Sequence, residues 1–106
     1  MIDIDDFSKA DLRVAEVVSV ESVPGADKLY LLKVDLGGEE RQIVAGLKPY
    51  YDEREIKGKK IVVIANLKPA VIRGVQSQGM LLAAQSGQKV SLLTVDRDVP
   101  SGARIL

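Results

Sequence analysis

Apolar side chains recur at every second position through most of this chain, and that period commits it to strands. In "DLRVAEVVSVESV", Leu12, Val14, Val18 and Val20 share one face, Val17 points the other way, and Glu16 interrupts the row. A long strand with a bulge or bend near Glu16 reconciles the two parities. "PGADK" then supplies turn chemistry through Pro24 and Gly25, after which "LYLLKVDL" alternates Tyr30, Leu32, Val34 and Leu36 against Lys33 and Asp35. Gly37 and Gly38 mark the next reversal and "RQIVAG" a short third strand, so the first three strands form a meander.

The next segment follows different rules. In "YDEREIKG", Asp52 as N-cap, Glu55 three residues on as its capping-box partner and Gly58 as a stop predict one short helix between strands three and four. "KKIVVIANL" and "GMLLAA" are apolar at both parities, the pattern of central strands covered on both faces. Between them "NLKPAVIRGVQSQGM", residues 66–80, makes a polar hook. "KVSLLTV" reads as a sixth strand and "DRDVPSGARIL" as a tail. An all-β chain of five strands with a helix between the third and fourth is predicted to be an OB-fold, a five-stranded Greek-key barrel, here with a C-terminal extension. Other small barrels fit the periodicity too.

Composition narrows the chemistry. A chain of 106 residues suits one domain, and 46% hydrophobic content predicts a real core. It has no Cys and no His, which removes disulfides, thiolate nucleophiles, imidazole bases and the usual zinc sites. The acidic pairs in "IDIDD" and "DRD" are left as the only hint of a divalent-metal hydrolase, and as terminal and turn clusters they read as solvated loops. No catalytic residue, metal or cofactor is therefore expected. No run approaches the roughly 20 apolar residues of a membrane span, and the N-terminus is acidic where a signal peptide is basic, so no membrane partner and a cytoplasmic location are expected.

The net charge of zero hides an asymmetry. Residues 1–40 hold four basic and ten acidic side chains, residues 41–76 eight and three, and residues 77–106 three and two. Gathered on one face, the middle third would attract a polyanion within the roughly 8 Å range of physiological screening.

The strings "DLRVAEVVSVE", "GADKLYLLKVDLG", "IVAGLKPYY", "GKKIVVIANLKP" and "RGVQSQGMLLAA", in that order, resemble the tRNA-binding domain family over nearly the entire chain. That family is found appended to methionyl-tRNA synthetases, as a free-standing tRNA-binding protein, and in cytokine-like synthetase cofactors. The resemblance implies an OB-fold that recognises tRNA by shape, with a core at about residues 10–86 and an extension at about 87–106 that promotes homodimers. An initiating Met1 and a tail like the family's suggest a complete free-standing chain.

Carried onto this sequence, the family's motifs fall on Lys28, Lys33, Asn66, Lys68, Arg73, Ser77 and Met80 as tRNA contacts. Lys68 and Arg73 would bond phosphate oxygens, while Asn66 and Ser77 would bond 2′-hydroxyls or base edges. Two alternatives stand beside these roles. Asn66 caps the hook internally, and Met80 is a core residue. Aromatic residues are scarce at 4%, which argues against stacking a long single strand and for a structured RNA.

The chain departs from its relatives at Ala70 and Val71, where two basic residues are common, and at Glu16, where Lys or Arg is frequent. The expected partners are tRNA and methionyl-tRNA synthetase. The alternative is a chaperone-like dimeric OB-fold protein that binds unfolded or exported polypeptides.

Overall fold

The computed structural model describes residues 1–106. In chain order the elements are α1 (Ile4–Ser8), β1 (Leu12–Val23), β2 (Ala26–Asp35), β3 (Glu40–Ala45), α2 (Glu53–Ile56), β4 (Lys60–Ile64), β5 (Ala70–Ile72), β6 (Val75–Ser77), β7 (Met80–Leu81), β8 (Ala83–Ser86) and β9 (Lys89–Leu92). No helix is long and apolar enough to cross a membrane.

β1 organises the sheet. Its first half pairs antiparallel with β4, from Leu12 opposite Ile64 to Glu16 opposite Lys60, and its second half pairs with β2. The register with β2 slips between Val17 and Ser19, so Val18 is the extra residue and faces solvent while Ala15 and Val17 stay buried. The bulge that the mixed parity required thus lies two residues beyond Glu16. From Tyr30 onward the alternation in β2 holds: Tyr30, Leu32 and Val34 face inward, and Leu36 just beyond it is buried too. The helix forms as its capping box dictates, Glu55 accepting the Asp52 N–H at 2.9 Å, and Ile56 enters the core completely.

The five-stranded sheet has the order β3-β2-β1-β4-β7, the strand order of an OB-fold barrel. It closes where β3 meets the end of β6 and the residue after it. Gln78 N–H donates to Gln42 O at 2.8 Å, Gln42 N–H donates to Gln78 Oε1 at 3.1 Å, and Val44 N–H donates to Ser77 Oγ at 3.0 Å. Side chains complete this seam in place of a continuous ladder.

One expected strand is different. "GMLLAA" is not covered on both faces: only Met80 and Leu81 pair with β4, Met80 is 51% exposed, and Ala83–Ser86 lie outside the sheet as an exposed arm of the β8–β9 hairpin. After Leu82, whose N–H donates to Val62 O at 2.9 Å, the chain leaves the edge of β4, and two alanines present little surface to hold in a core. Two further features carried no sequence signal. α1 is capped by the Asp3 carboxylate and buries none of its residues. The tail folds back along β1, on the edge that β2 leaves free: Gly102 N–H donates to Val14 O at 2.7 Å, Val14 N–H to Ala103 O at 2.8 Å and Ile105 N–H to Leu12 O at 2.9 Å. Leu92, in the stretch read as an extension, belongs to the hydrophobic core.

Candidate nucleic-acid interface

The polar hook is a hairpin of its own. β5 and β6 pair from Ala70 opposite Ser77 to Ile72 opposite Val75, leaving Arg73 and Gly74 as a two-residue turn. Both turn residues have positive φ, 52° and 79°, the requirement of the type I′ hairpin. Gly74 meets it freely. Arg73 is the one non-glycine residue of the chain in that region, where an L side chain costs about 1–2 kcal/mol. The Arg73 side chain is exposed at the tip of the hook.

Three anchors hold the base of the hook. Asn66 Oδ1 accepts the Asp11 N–H at 2.8 Å, and Asn66 Nδ2 donates to Lys9 O at 2.7 Å. The Ala65 N–H donates to Asp11 O at 2.8 Å. Ser77, 4% exposed, accepts from Val44 N–H and donates to Gly79 O at 3.1 Å. Gly79 itself has φ 134°, and a Cβ there would lie 2.9 Å from Ile64 O, so only glycine lets the hook return to β4. Beside this junction, the Arg13 guanidinium, 2.9 Å from Asp11, holds the Asp11 carboxyl below its usual range.

Between β3 and the hook lies a groove of about 430 Å³. Val44, Leu47, Leu67, Ile72, Met80 and Leu81 give it an apolar lining, and Lys68 is its one charged residue. β5 alternates as a strand should: Ala70 and Ile72 turn to the groove, and Val71, 73% exposed, is not among its lining. Both walls lack anions. Residues 41–51 and 56–95 contain no Asp or Glu, because the acidic side chains of the middle third are Asp52, Glu53 and Glu55, all at α2.

The seven residues singled out in the sequence separate into groups. Lys68, Ser77 and Met80 meet at the groove. Arg73 and Lys28 share a cleft between the hook tip and the β1–β2 turn, together with Asp27. Lys33 stands apart beside Glu40, Arg41, Gln42 and Gln78. Asn66 and Ser77 direct their polar atoms to the protein's own backbone at the base of the hook. Met80 belongs to the groove rim and not to the core. Gly46, Leu47 and Leu67 were not singled out, since groove lining assembled from β3 and the hook has no local sequence pattern. The acidic pairs near the termini do not gather into a group of three that could hold a metal ion.

The five-stranded sheet, its closure and the short helix define an OB-fold, an architecture whose strand face and loops bind oligonucleotides or oligosaccharides in various proteins. The family whose description reads "Putative tRNA binding domain" matches residues 12–104, and the chain belongs to that family. A methionine–tRNA ligase of Thermotoga maritima is 57% identical over 104 residues, which is 98% of this chain and 16% of the ligase. The chain spans 14% to 16% of the length of the ligases it matches. Among solved structures, a methionyl-tRNA-synthetase-related protein from Pyrococcus horikoshii superposes with a TM-score of 0.95 at 41% identity, covering 100% of this chain and 98% of that one. The CsaA chaperone protein of Picrophilus torridus superposes with a TM-score of 0.93 at 33% identity, covering 100% of both chains.

Proposed function

We propose that this chain is a non-catalytic tRNA-binding module that works beside methionyl-tRNA synthetase in the cytoplasm, either as an associated subunit or as a free-standing factor. The observation that carries the reading is the groove between the end of β3 and the hook, whose lining has no carboxylate and includes Lys68, with the exposed Arg73 at the hook's tip. A polyanion approaches such a surface without repulsion, and phosphate contacts from a few cations position it. Scarce aromatic residues favour a folded RNA read through phosphates and riboses over a stacked single strand. Holding tRNA near a synthetase raises its local concentration without adding chemistry. In this reading the chain pairs with a second copy through residues 87–106.

Ala70 and Val71 leave this hook with fewer cations than many relatives carry, so the dependence of log affinity on log salt should be shallower by about two units than in a relative with both, at roughly one unit per phosphate contact. Filter binding of bulk tRNA against duplex DNA at several salt concentrations tests the reading; equal retention of both at low salt would end it. The second reading, capture of unfolded polypeptide, is supported by the apolar lining of the same groove and by the likeness to a CsaA chaperone protein. Suppression of aggregation of an unfolding client, without tRNA retention, would favour that reading instead.

A further inference from the structure

We propose that the groove between β3 and the hook receives one unstacked nucleobase of a folded RNA, with the adjoining phosphates on Lys68 and Arg73; this deepens the tRNA reading and rests on it. The volume and the lining come first. About 430 Å³ of space lined by Val44, Leu47, Ile72 and Leu81 suits a flat ring and offers nothing to a hydrated phosphate alone. Charge comes second. Neither wall holds a carboxylate, and the single charge in the lining is Lys68, so the groove favours an apolar group that is carried on a polyanion. An apolar peptide side chain would match the floor equally well, but it would not account for anion-free walls running through residues 41–51 and 56–95.

Met80 is the third observation. Its side chain is 51% exposed at the groove rim, although Val63 of the neighbouring strand is buried and Ile64 half-buried. A polarizable thioether is a favourable surface for an aromatic face. The groove has no Phe, Tyr or Trp, so it provides one aliphatic and thioether seat and no platform for a run of stacked bases. Bases available to such a seat are those already splayed out of a folded RNA, in loops and bulges.

The chain has two methionines, Met1 and Met80, so a spectrum of methionine methyl groups labelled with carbon-13 reports the groove directly. Bulk tRNA should move the Met80 methyl upfield through the ring current of the base, while inorganic phosphate at matched ionic strength should leave it in place. Gly46→Leu plugs the groove at little cost to the fold, since the nearest atom to a Cβ there is Lys28 O at 4.0 Å. Ala70→Leu plugs it from the opposite wall. Each plug should weaken tRNA binding about tenfold, the scale of one lost base contact, and leave the salt slope unchanged. Lys68→Ala should instead reduce that slope by about one.

Full tRNA affinity in both plugged variants, or a Met80 methyl that stays in place when tRNA binds, overturns the nucleobase seat and leaves tRNA binding standing. Loss of client binding in the plugged variants with tRNA affinity intact overturns it in favour of a peptide groove. A parent chain that retains no tRNA at low salt removes the tRNA reading and the seat together.

Discussion

Two exposed hairpins stand outside the five-stranded sheet, the hook β5–β6 and the hairpin β8–β9, and they are built for different ends. Both are short, antiparallel and free of carboxylates, and both turn on a glycine with positive φ. The β8–β9 hairpin ends on Leu92, whose side chain lies in the core and whose N–H donates to the Tyr51 hydroxyl at 3.0 Å. Its one charge is Lys89. The hook places no hydrophobic residue in the core; it is held by Asn66, Ser77 and Gly79 at its base and carries cations at Lys68 and Arg73. Apolar anchoring makes a hairpin part of the domain, whereas polar anchoring at the base alone leaves a hairpin's surface free for a ligand.

The largest effect that could break this contrast is at the base of the hook. Gly79→Ala forces a side chain into positive φ and a Cβ against Ile64 O, and we expect a loss of about 2–4 kcal/mol in urea unfolding. A loss under 0.5 kcal/mol would mean that the hook returns to the barrel without that constraint. Next, Ser77→Ala strands the buried Val44 N–H and should cost about 1–3 kcal/mol, and Asn66→Ala removes two hydrogen bonds and should cost about 1–2 kcal/mol. Asn66→Ala should also weaken tRNA retention, by misdirecting Leu67 and Lys68.

At the tip the sign reverses. Arg73→Asn relieves the left-handed strain and should raise stability by about 0.5–1 kcal/mol while lowering the salt slope of tRNA binding by about one. Lys89→Ala on the other hairpin should change neither. Equal slopes for the Lys89 and Arg73 variants would erase the distinction between the two hairpins.

The smallest effect is a dependence on pH. The Asp11 carboxyl is held below its usual range by the Arg13 guanidinium, so the folded chain binds fewer protons there than the unfolded chain does. The stabilisation is complete above the unfolded value of about 3.9 and is lost as pH falls through the lower folded value. Thermal unfolding of Asp11→Asn and the parent should therefore differ at pH 6 and converge at acid pH.

Much of the barrel was legible in the sequence. Alternation places Tyr30, Leu32, Val34 and Leu36 inward, and the Asp52–Glu55 pair closes a capping box, because both patterns are local. The "GMLLAA" stretch was misread because an apolar run does not reveal how much partner strand it will meet. Internal capping of the hook by Asn66 was one of its two readings in the sequence, but its partners, and that of Ser77, were not legible. The partners of Asn66 lie 55 and 57 residues away, and Ser77 meets Val44 from 33 residues away.

The sequence by itself determined the three-stranded meander, the short helix, the polarity of the hook and the absence of imidazole and thiol chemistry, since each follows from residue type and short spacing. Tertiary structure alone decided that the tail lies along β1, and that the carboxylate-free stretches 41–51 and 56–95 meet across a groove between β3 and the hook. Those outcomes depend on which strand edges remain unpaired once the barrel closes. That is a property of long-range pairing, and no window of sequence contains it.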